Sequence, residues 1–166
     1  MNIIIESALE TLQKSKYLLT NLSNEQLSNE SVAPYYSSIG SHIRHILDFY
    51  DCILNIDSKN RVDLTARSRN KSVELCCEKA SDYFDTVTDR LKKVDFNVND
   101  TVMVTDDLGL GRIIMPYTIA AVLSQANSHT IHHYAIINYV LYNIGIDIND
   151  TNFGYNPTTP KQEIII

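Results

Sequence analysis

Four apolar stripes at helical spacing set the limits on what this chain can fold into. Ile5, Ala8, Leu9, Leu12, Leu19 and Leu22 recur at intervals of mostly three or four residues, and so do Ile39, Ile43, Ile46, Leu47, Tyr50, Ile53 and Leu54. A third set is Val73, Cys76, Cys77, Ala80, Tyr83, Phe84, Val87 and Leu91, and a fourth runs from about Thr118 to Asn143. Such intervals gather side chains on one face of an α-helix, and that face must be buried against another element. The spacing therefore predicts an all-α fold, a four-helix bundle in which each helix contributes one stripe to a shared core.

The punctuation agrees with this reading. Ser37 or Ser38 can cap the second helix and Asn70 the third, while Arg90, Lys92 and Lys93 suit a helix C-terminus. Gly145 stands where the fourth helix should stop. Between the third and fourth helices, Thr101–Val104 and Arg112–Met115 flank a turn containing Gly109 and Gly111, which predicts a short β-hairpin. From Asp147 onward Asn, Asp, Thr and Pro replace the helical period, so an irregular tail is expected, anchored by Phe153 and Tyr155. No repeat or linker divides the 166 residues, and one domain spanning 1–166 is the expectation.

Charge and cysteine content narrow the function classes. A net charge of −6 without a Lys/Arg cluster argues against a nucleic-acid partner. No signal-peptide pattern opens the chain and no apolar run has membrane-spanning length, so a cytoplasmic protein away from the membrane is expected. Cys52, Cys76 and Cys77 form no C-x-x-C motif and are expected as core or boundary thiols.

The five histidines fall in two short segments, Ser41-His42-Ile43-Arg44-His45-Ile46 and Ser128-His129-Thr130-Ile131-His132-His133-Tyr134. The fourth apolar stripe, through Ile119, Val122, Ala126 and Val140, passes through positions 129 and 133. His129 and His133 therefore face inward one turn apart, a spacing that lets two imidazoles converge on one ion. A third ligand falls to the second helix, where His42 lies nearer the middle of the aliphatic stripe and His45 nearer its edge. Periodicity does not choose between them. A single inward histidine is ordinarily a hydrogen-bonded core residue, but neutral imidazole is also a common metal ligand and helical bundles are common metal hosts.

The segments Ser38–Asp48 and Ser128–Ala135 resemble the two signature stretches of the DinB-like superfamily, over roughly residues 1–145. The later Phe153–Thr159 is similar to a tail seen in one bacterial branch. The resemblance implies a four-helix bundle with a three-histidine metal site. His45, which precedes Ile46-Leu47, matches the second-helix ligand, and His129 with His133 matches the H-x-x-x-H pair. It further implies a divalent ion such as zinc or nickel, and a metal-dependent hydrolase or a transferase using a small-molecule thiol, as in members that use bacillithiol or mycothiol. The common continuation Arg-Gly-Gln is here Tyr134-Ala135-Ile136. Homodimerisation is a further expectation, motivated by apolar helix faces in excess of one core. The competing class is a non-catalytic, metal-stabilised dimeric interaction bundle, in which a fourth ligand such as His42 or Cys52 would close the coordination.

Overall fold

The computed structural model describes residues 2–160. It is mostly helical, with α1 (Ile3–Asn21), α2 (Asn24–Leu27), α3 (Ile39–Leu54), α4 (Lys71–Leu75), α5 (Cys77–Lys93) and α6 (Ile119–Asn143). Three strands, β1 (Arg61–Asp63), β2 (Thr101–Asp107) and β3 (Arg112–Thr118), form one small sheet in the order β1-β2-β3. The expected all-α class is thus widened by a sheet that the hairpin only partly anticipated.

The long helices pack in a ring of neighbours, α1 against α5 and α6, and α3 against α5 and α6. Each presents its apolar stripe to one core, in which Leu12, Ile43, Leu47, Ile53, Val87, Leu91, Val122 and Ile137 are fully enclosed. Asn2 caps α1 through the Ile4 amide, Ser38 caps α3 through Ser41, and Thr118 caps α6 through Ala121. Buried Tyr134 ties α6 to α1, accepting from the Ser15 amide at 3.1 Å, meeting Ser15 Oγ at 2.7 Å and donating to the Thr11 carbonyl at 3.0 Å.

The third predicted helix is broken. Cys76 is extended, with φ −138° and ψ 118°, so α4 ends and α5 starts afresh. Cys76 supplies no side-chain cap; instead Asn24 Oδ1 of α2 accepts from the Cys77 amide at 2.8 Å. A distant residue thus satisfies a helix end that local sequence leaves open. The break lets α4 lie against α3, where Glu74 receives Arg44 Nε at 2.7 Å. Among these thiols Cys52 is buried, Cys76 and Cys77 are partly exposed, and none is in a disulfide.

In the sheet, β2 and β3 pair antiparallel, with Val104 opposite Met115, and extend beyond the predicted hairpin strands. β1 adds in parallel on the other side of β2, Val62 pairing with Val104. Val62, Val102 and Val104 are buried, so one sheet face joins the helical core. In the tail Phe153 is buried and stacks on Tyr134 with ring centres 4.9 Å apart, as an anchor should, whereas Tyr155 is exposed. No described helix is long and apolar enough to cross a membrane.

Gly40 allows the close approach of α3 to α4. A Cβ there would overlap the Glu74 backbone, 2.8 Å from its carbonyl carbon and 2.9 Å from its Cα. Backbone cannot swing aside as a side-chain tip can. Gly40→Ala should lower stability by about 1–3 kcal/mol, measured as a shift in the denaturation midpoint, while Gly109→Ala at the open hairpin turn should perturb the helical packing far less.

Candidate metal centre

The pairing of α3 with α6 brings the two histidine segments face to face. His45 Nε2 lies 2.8 Å from His129 Nε2, and His133 Nε2 lies 3.1 Å from the same atom. Ring centres are 4.9 Å apart for His45 and His129, 4.7 Å for His45 and His133, and 4.5 Å for His129 and His133. The three side chains lie close enough together to hold one metal ion, and no described Cys, Asp or Glu joins the group. A tetrahedral zinc site with Zn–N near 2.0–2.1 Å separates its nitrogens by about 3.3 Å. The two separations at His129 Nε2 therefore lie within a few tenths of an ångström of that spacing.

His42 takes a different place. It is buried, and its Nδ1 lies 2.8 Å from His133 Nδ1 while its Nε2 lies 2.8 Å from Ser37 Oγ. One arrangement of protons satisfies this chain and leaves His133 Nε2 free as a ligand. His133 donates from Nδ1 to His42 Nδ1, and His42 donates from Nε2 to Ser37. A histidine that orients a ligand through its far ring nitrogen is the usual support of a metal site. Of the two serines that could cap α3, Ser38 does so and Ser37 ends this relay.

The remaining surroundings come from residues that the periodicity did not single out. Phe49, one turn beyond His45, stacks against His129 with ring centres 5.0 Å apart. Arg67, in the segment between β1 and α4, places a guanidinium nitrogen 2.8 Å from His45 Nδ1. Asp48, buried in α3, accepts from Arg44, from the Arg69 amide at 3.1 Å, from Ser68 Oγ at 3.2 Å and from Tyr83 at 3.0 Å. Arg67 lies outside any helix and carries no periodic signal. Phe49 could have been found by its four-residue spacing from His45. His132, the fifth histidine, is exposed.

Tyr134, which follows the histidine pair, points away from the histidines and into the α1 contact. Gly154 of the tail, with φ +78°, packs on the backbone of Ala135. Residues 134 and 135 thus serve helix and tail packing.

Burial is the largest influence on the ring protonation. It lowers the pKa of His42 and His129, lowers that of His45 to about 4 and that of His133 to about 2. Mutual repulsion among the rings adds to the effect, as does Arg67 at His45 and His129. The cluster is consequently neutral near pH 7, the state that metal ligation requires.

No family model matches the chain, and no curated protein matches it either.

The depressed values fix a sign. Unfolded histidines take up protons below about 6.5, while the folded cluster resists them, so stability is fully present above that pH and declines as acid is added. In metal-free protein the unfolding free energy should fall between pH 6.5 and the value of about 4 for His45, by up to about 1.4 kcal/mol per pH unit for each histidine involved, and the melting temperature should fall with it. Melts in chelator across this range should show the decline, and replacing His133 with phenylalanine should flatten it.

Proposed function

We propose that this chain is a divalent-metal-binding four-helix bundle of the DinB-like type, with His45, His129 and His133 as the ligands, acting as a metal-dependent transferase or hydrolase. The observation that carries the reading is the convergence of three Nε2 atoms from two helices in a neutral, partly buried setting. Zinc and nickel both suit an all-imidazole donor set. When bound, such an ion lowers the pKa of water or of a small-molecule thiol at the coordination position that three protein ligands leave open.

The protein's own part is to hold the rings and keep them neutral. His42, backed by Ser37, braces His133 at Nδ1, Phe49 packs beside His129, and the buried Asp48 holds the segment that carries Arg67. The alternative is a cytoplasmic homodimer in which the ion only staples α3 to α6. That reading calls for closed coordination. Within the described residues the cluster has three members, and His42 is turned toward His133 Nδ1, which favours the catalytic reading.

Protein purified without a nickel column should carry close to one equivalent of divalent metal per chain after loading, by elemental analysis. His129→Ala and His133→Ala should lose it, and His42→Ala should bind about 10–100-fold more weakly. For a catalytic ion the ligand variants keep most of their melting temperature but lose metal-dependent transfer of a small-molecule thiol to an electrophile. Melting that collapses together with metal loss supports the staple instead, and unchanged metal content in both ligand variants removes the site.

A further inference from the structure

The segment after β1 is tightly built. Leu64 is buried and its amide donates to the Thr105 carbonyl at 2.9 Å, fixing the start. Asp48 then captures both Ser68 and the Arg69 amide. Between these anchors Arg67 is held against His45, its terminal nitrogen donating to His45 Nδ1 at 2.8 Å.

That contact conflicts with metal ligation. A guanidinium only donates, so His45 Nδ1 here accepts and the neutral ring carries its proton on Nε2, facing His129. An imidazole that ligates through Nε2 carries the proton on Nδ1 instead. Two donors would then face each other, and Arg67 has to turn away from His45 when an ion is held.

Arg44, Arg61 and Arg90 each pair with an acidic side chain, but Arg67 forms no ion pair among the described residues. Its Nε is buried without a hydrogen-bond partner among the described residues. A partly buried guanidinium beside a cation, without a counter-charge, is unfavourable until an anion joins it.

We propose that Arg67 is the anion-recognition residue of the three-histidine centre, and that the molecule bound there carries a carboxylate. The inference rests on the metal-binding reading above. A single planar guanidinium matches one carboxylate through paired hydrogen bonds, whereas a phosphate dianion calls for more positive charge than this neighbourhood supplies.

The test uses the full chain loaded with cobalt(II), whose absorption reports both the metal and any thiolate bound to it. Mercaptopropionate and its neutral amide, mercaptopropionamide, are titrated into wild type, Arg67→Ala and Arg67→Gln. The wild type should favour the carboxylate by about tenfold or more, and both variants should lose that preference while binding the amide as before. Cobalt affinity should be unchanged or higher in Arg67→Ala, since the competing donor is gone. Arg67→Gln keeps a shorter, neutral donor and part of the side-chain packing, and guards against a folding defect in the alanine variant. Equal binding of the two thiols by wild type, a preference that survives both substitutions, or loss of cobalt from both variants would overturn the role of Arg67. Absence of any cobalt spectrum in wild type would instead remove the metal centre on which the inference stands.

Discussion

A buried carboxylate on α3 organises the side of the protein that faces the histidines. Asp48 is about 1% exposed, and an ionised group at that depth is tolerated only when its oxygens are saturated by donors. The donors come from three directions: Arg44 one turn earlier on α3, Ser68 and the Arg69 amide from the segment after β1, and Tyr83 from α5. Arg44 in turn reaches Glu74, which Lys71 also meets at 2.8 Å. Satisfying one acid therefore fixes α4, α5 and the connecting segment on α3, and places Arg67 beside His45.

The histidine cluster is the complementary case. It holds polar groups in a partly buried place by keeping them neutral and by aiming most of their nitrogens at one another. Burial and mutual repulsion suppress protonation, which keeps lone pairs available, and the His42–Ser37 relay accommodates a His133 that carries its proton on Nδ1. A cluster of this kind gains a natural counterpart from a divalent ion, because coordination replaces ring-to-ring contacts that are crowded for neutral imidazoles.

The two networks meet at Arg67. Asp48 fixes its backbone neighbours, and its side chain borders the cluster with a positive charge that forms no ion pair among the described residues. Placed beside neutral rings alone the guanidinium is tolerable; placed beside an ion it asks for an anion. The same residue thus links the stability of the connecting segment to the chemistry of whatever enters the centre.

Much of this was legible in the sequence. Helical spacing located all four long apolar stripes, because burying one face per helix leaves a period that survives any detail of packing, and Ser38 and Asn70, both legible as candidate caps, cap the helices they precede. The same period placed positions 129 and 133 on one inward face. It could not separate His42 from His45, since both lie near the buried arc of α3; the rotation of α3 against α6 decided that His45 meets His129 while His42 stands behind His133. Nor could it show the break at Cys76, because the amide it leaves open is satisfied by Asn24 more than fifty residues away. Strand β1 is three residues long and takes its pairing from β2 rather than from a pattern of its own. Local periodicity records which face of an element is buried, whereas the partners of Asp48, the placement of Arg67 and the convergence of the histidines depend on distances between elements that only the packed structure sets.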